Sequence, residues 1–180
     1  MPVLPYLDHQ PRIDGGLTLA DDAFIVGRVT VSGPATLESS AVIRGDQAAV
    51  EIGPDFHMGP RSSIHIDNDK PTIIGRGVWL GAGTVVHGCV LGDGVRVEDG
   101  GLVLSGAEVG PGSVVAAGAL VTEGAHFPAN SYIEGSPGRR TRDTTTAERA
   151  ATVERTGCSG SDGLADAQAA PMSGTPSSGG

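Results

Sequence analysis

The chain has 180 residues, 29 glycines, 3% aromatics and a formal net charge of −9. Binding to nucleic acid or to an anionic membrane surface needs many cations facing phosphate, and this acidic chain carries a single lysine, Lys70. No run approaches the roughly 18 apolar residues of a membrane span.

Residues 1–20 read as a lead-in. MPVLPYLDHQ has neither a basic n-region nor an apolar h-region, so no secretory leader is expected and the default setting is soluble and cytoplasmic. The two cysteines, Cys89 and Cys158, have no metal-type spacing, and a structural disulfide between them is not expected.

Residues 21–140 carry an internal repeat. Ile74, Leu80, Val86, Leu91, Val97, Val103, Val109, Val115 and Val121 recur at steps of six with a single step of five. Upstream, Val31, Leu37 and Ile43 keep the same step, as do Ile52, Met58 and Ile64. Neither a helix nor a simple amphipathic strand repeats at six. A short strand plus a turn does, and three such units close a triangular coil. The aliphatic residue points inward, and glycine or another small residue bends the corner. The predicted fold is therefore all-β, a left-handed parallel β-helix built from hexapeptides. The segment Ala48 to Glu51 breaks the register, and Ile66-Asp67-Asn68-Asp69-Lys70-Pro71 reads as a polar loop leaving one corner. Loops thrown out of a regular scaffold often carry function.

After Pro128 the pattern fades, and residues 131–137 read as the exit from the coil. Residues 141–157 hold a short α-helix opened by a capping box, Thr145 with Glu148, which is expected to dock on the coil. Residues 158–180 are small, polar and rich in Pro, Gly and Ser, the composition of a disordered tail. The flat faces of a triangular prism pack naturally around a threefold axis, so a homotrimer is expected.

Coil geometry also groups the histidines. Residues three steps apart stack on one corner, and with the 66–71 loop counted as a bulge, Ile64 is three steps before Val86. His65 and His87 then lie one above the other, at roughly the 4.7–4.9 Å strand spacing. Two imidazoles so placed can converge on one metal, each about 2.0–2.1 Å from zinc. A solvated pair without metal is the alternative.

The runs Val42-Ile43-Arg44-Gly45-Asp46, Ile52-Gly53, Ile64-His65 and Val85-Val86-His87-Gly88-Cys89 resemble the γ-class carbonic anhydrase family, as do Val115 to Val121 and Gly135-Ser136-Pro137. The resemblance covers roughly residues 20 to 140. It implies a trimer holding zinc, iron or cobalt with three histidines at the subunit interface, two from one chain and one from its neighbour. His65 and His87 match the pair from one chain. The third ligand falls at Ala82, which has no donor. The Gln-Asp pair expected six and five residues before His65 is Gly59-Pro60. Arg44 and Asp46 match an Arg-Gly-Asp that the resemblance assigns to an intersubunit ion-pair network supporting the site.

Two histidines alone hold a metal weakly, so a metal here needs a replacement ligand: His57, Asp67, Asp69, Glu98 or Asp99, from this chain or the next. Glu98 and Asp99 could instead serve as general acid and base, or lie on a solvated edge. The expected function is an enzyme acting on a small molecule in the intersubunit cleft, by hydration, dehydration, cyclisation or hydrolysis. The catalytic candidates are His65, His87, Glu98 and Asp99. Three alternatives stand beside it: a metal-free scaffold, a true carbonic anhydrase with a replaced ligand, and a hexapeptide acyltransferase using coenzyme A.

Overall fold

The structure, a computed structural model, describes residues 3–66 and 70–157. It is a left-handed parallel β-helix of about seven coils, closed by one C-terminal helix. Every aliphatic residue named above at a six-residue step is at most 2% exposed, so the period of six is the period of the core. Each such side chain contributes about 1.5–3 kcal/mol relative to exposure.

Coils stack with residues three steps apart in register. Leu80 pairs with Met58 above and Val97 below, Val86 with Ile64 and Val103, and Leu91 with Ile74 and Val109. The polar loop leaves this ladder intact, because the strands before and after it, Ser63–His65 and Thr72–Ile74, both find their partners. Around residue 48 the expected break in register is present: against the preceding strand, Gly27 pairs with Gly45 but Val29 with Val50. Val42–Ile52 is one continuous strand of 11 residues. Its first residues pair with Ser63–Ile64 and its last with Thr72–Ile74, so it runs through a corner and serves two faces. The intervening residues 44–49 belong to neither pairing and project beside the histidine strands.

Residues 3–19 contribute the short strands Val3–Leu4, Arg12–Asp14 and Leu17–Leu19, each parallel to the coil that follows. At the other end Ser131–Glu134 is followed by an antiparallel strand, Arg139–Asp143, exposed at every residue. No six-residue step signals that hairpin.

The helix Thr146–Thr156 begins with the expected capping box and ends at Gly157 in the left-handed conformation. It lies over the strands Phe56–Met58 and Trp79–Leu80. The Arg96 guanidinium, buried beneath it, donates to the Glu148 carbonyl at 2.8 Å and to Thr152 Oγ1 at 3.2 Å. Arg155 lies 4.6 Å over the Trp79 ring, and Trp79 stacks on His57 with centroids 5.9 Å apart. The helix is thus held by cations on both the coil and itself rather than by its alanine-rich face. Among the described residues, no helix is long and apolar enough to cross a membrane.

Candidate functional site

His65 and His87 end adjacent strands and are directly in register. Both side chains point outward, since Ile64 and Val86, the residues before them, fill the core. Their ring centroids are 5.2 Å apart and the planes cross at 64°. The stacking expected from the repeat is what the fold produces.

Each imidazole has one nitrogen set against a neighbouring side chain. Nε2 of His65 lies 3.3 Å from Asp46 Oδ1; both atoms are buried and face each other without hydrogen-bond alignment. Nδ1 of His87 shares a 2.8 Å hydrogen bond with Ser105 Oγ, one coil below. Asp46 is itself gripped by Arg44, whose Nη2 and Nε donate to Oδ2 at 2.5 and 3.1 Å. Burial pushes the Asp46 carboxyl up. The Arg44 hydrogen bonds, its own backbone N–H and the charges of Arg44 and His65 outweigh that and hold it below the usual 3.8. At neutral pH the residue facing His65 is a carboxylate.

Arg44 and Asp46 therefore already pair within one chain, and Asp46 reaches the histidine directly. Sequence reasoning missed Asp46 as a partner of His65, and missed Ser105 altogether. Ser105 could have been found, because it lies 18 residues after His87 and 18 residues make one coil.

The other candidates lie elsewhere. Ala82 sits half-buried at the corner between Trp79–Leu80 and Val85–His87, and its N–H donates to Asp99 Oδ1 at 2.8 Å. The same device occurs one corner earlier, where the Arg76 N–H donates to Asp93 Oδ1 at 2.8 Å. Asp99 is thereby engaged as a cap joining two coils. Glu98 Oε1 is 2.7 Å from Arg96 Nε and its Oε2 is 3.9 Å from Arg155, so it belongs to the helix-docking network. His57 pairs with Glu38 at 3.1 Å on that same face. Asp67, Asp69 and the tail with Cys158 lie outside the described residues.

The donor set fits a three-histidine metal poorly within one chain. Ala82 offers no side-chain donor, and Nε2 of His65 faces Asp46. Among the described residues, no three His, Cys, Asp or Glu side chains converge on a common point.

No protein-family profile matches the chain. Among curated proteins it is 47% identical over 136 residues to a probable carbonic anhydrase of Methanocaldococcus jannaschii, covering 76% of this chain and 86% of that one. It is 30% identical over 92 residues to the mitochondrial gamma carbonic anhydrase 3 of Arabidopsis thaliana, spanning 48% of this chain and 36% of the plant protein. Among solved structures, a hexapeptide transferase family protein from Anaplasma phagocytophilum superposes with a TM-score of 0.82 at 28% identity, covering 86% of this chain and 92% of the other. The histidine register, the hexapeptide coil and a relative nearly half identical over most of both chains agree: this chain belongs to the γ-carbonic anhydrase-like family of hexapeptide-repeat proteins.

Proposed function

We propose that this chain works as a soluble, cytoplasmic homotrimer whose intersubunit cleft carries out proton-transfer chemistry on a small molecule, a hydration, dehydration or related lyase-type step. In this reading His65 and His87 act without the three-histidine metal of the family. The observation that carries it is the His65–Asp46 contact, with a second anchored imidazole 5.2 Å away.

A carboxylate facing Nε2 favours the tautomer with the proton on Nε2 and leaves Nδ1 with its lone pair. His65 can then take a proton from water or from the substrate, and Asp46 balances the imidazolium that results. This is the orienting role of a buried carboxylate behind a catalytic histidine. His87, oriented by Ser105, can return a proton to the oxygen of the substrate, so the pair moves one proton in and one out. General acid–base catalysis of this kind contributes about 10²–10⁴-fold.

A second reading, carbonic anhydrase activity with a replacement ligand from the neighbouring chain, is favoured by the identity to the archaeal relative. The fold neighbour supports acyl transfer less strongly, since one lysine gives little to hold the phosphates of coenzyme A.

The deciding experiment is metal content per chain of purified protein, beside an Ala82→His variant, with CO2 hydration assayed on both. The proposal expects a metal-free native protein and a metal-loaded variant. Stoichiometric zinc, iron or cobalt in the native protein, with CO2 hydration, would overturn it in favour of the second reading. No metal in either protein would remove the family's metal geometry from this cleft.

A further inference from the structure

Between the two histidine strands, Lys70 and Pro71 lead into the strand Thr72–Ile74, whose entry is fixed. Thr72 is fully buried, and its hydroxyl donates to the His65 carbonyl and accepts the Gly88 N–H, both at 3.1 Å. One side chain thus ties this segment to His65 and to the residue after His87.

Lys70 lies two residues before that anchor. Its Nζ rests over the bare backbone of Gly106, where an added Cβ would stand only 2.8 Å away. Gly106 follows Ser105, the hydrogen-bond partner of His87, and its N–H donates to the Gly88 carbonyl at 2.7 Å. The chain's one lysine is therefore set at the corner beside His87. Its ion pair there is loose: Glu123 lies 3.8 Å away with a side chain 71% exposed. Such a pair contributes little and is readily exchanged for another anion.

Beneath Lys70 is a cleft of about 180 Å³, walled by Pro71, Ile73, Val90 and Glu108 and floored by Gly88 and Cys89. Ile73 and Val90 are in register on neighbouring strands and are 40% and 37% exposed, an apolar wall facing water. The other charge on the cleft, Glu108, is turned to His126 at 3.3 Å.

We propose that this cleft is a carboxylate subsite. Lys70 Nζ holds the anionic head of a small organic acid, Ile73 and Val90 take its short aliphatic part, and the bound acid sits at the lip of the histidine site. The inference rests on the proton-transfer reading and names its substrate class. At about 30 Å³ per water, the cleft holds roughly six water volumes, the size of a four-carbon acid.

The test is butyrate titrated into the full chain while the Gly88 and Gly106 amides are followed by NMR, with butylamine and bicarbonate as comparisons. Butyrate is expected to bind in the millimolar range. Lys70→Gln should weaken it about fivefold, as for loss of an exposed charge partner, while Lys70→Arg keeps the affinity within about twofold. Equal binding by Lys70→Gln, butylamine binding as well as butyrate, or no amide shift would overturn the subsite. Bicarbonate binding as tightly as butyrate would do the same, because Ile73 and Val90 would then have no role. The metal experiment reads other residues. A metal-free native protein that ignores butyrate refutes the subsite alone, and a metal-loaded one that binds butyrate refutes the proton-transfer reading alone.

Discussion

Ala82 stands between two glycines that should fail for different reasons when each becomes alanine. Gly81 has an ordinary backbone but no room. An added Cβ would lie 2.7 Å from the Asp99 nitrogen, closer still to Asp99 Oδ1, and 3.0 Å from the Glu98 carbonyl carbon. Gly83 has open space around it but sits at φ +64°, where an L-residue is strained. For Gly81→Ala, crowding of this kind costs about 1–3 kcal/mol. Displacing Asp99 also breaks its bond to the Ala82 N–H, about 1 kcal/mol more. The sum is about 3 kcal/mol, or roughly 6–12 °C in Tm for a chain of this size. For Gly83→Ala, the left-handed conformation costs about 1–2 kcal/mol, offset by about 0.4–1 kcal/mol from a stiffer unfolded chain. The net is below about 1.5 kcal/mol. Thermal and urea unfolding of both variants checks the ranking. A larger loss for Gly83→Ala than for Gly81→Ala would refute the argument that contact between coils, rather than corner strain, limits substitution here.

Three further outcomes follow from the same geometry. Burial pushes the Cys89 thiol up to about 12, against a smaller opposing hydrogen bond from the His87 backbone, so at pH 8 it stays protonated. In a Cys158→Ser protein, a thiol reagent should label Cys89 only on unfolding; rapid labelling of the folded protein would contradict this. Glu148 is held down to about 2, from 4.5, chiefly by hydrogen bonds from Arg142; burial opposes this, and hydrogen bonds from Thr145 and the Arg142 charge lower it further. A depressed carboxyl pKa stabilises the fold above about pH 4.5 and loses that contribution as pH falls towards 2. Because the group is only partly buried, Glu148→Gln should cost only about 1 kcal/mol at pH 7, and the difference from native should vanish near pH 2 in urea melts. Ile64→Ala, which empties the core directly behind His65, should cost about 2–5 kcal/mol by the same measurement.

The repeat was legible because burial writes itself into spacing. An inward side chain every six residues is demanded by the coil whatever the neighbours are, so the core and the His65–His87 pairing could both be counted out. What spacing does not encode is which outward side chain turns to which neighbour. Asp46 reaches His65 because the Val42–Ile52 strand runs through its corner instead of stopping, and both its pairing registers depend on the whole stack. Asp99 was legible as an acid near the site but not as a cap, since its partner is a backbone N–H 17 residues earlier. The hairpin Arg139–Asp143 was invisible for a similar reason: it buries nothing, and a strand without an inward face leaves no periodic trace.

That hairpin has a consequence beyond closing the chain. A parallel coil ends in strands whose edges match the edges of the coil before, so any stack can in principle recruit a further layer from another molecule and grow into a filament. On one face the last layer here runs backwards. It presents Arg139, Arg140 and Arg142 along an edge of reversed polarity, where an incoming parallel strand finds neither its direction nor a neutral surface. The same few residues that look like an afterthought to the repeat act as its stop signal, keeping a self-templating architecture finite at that face.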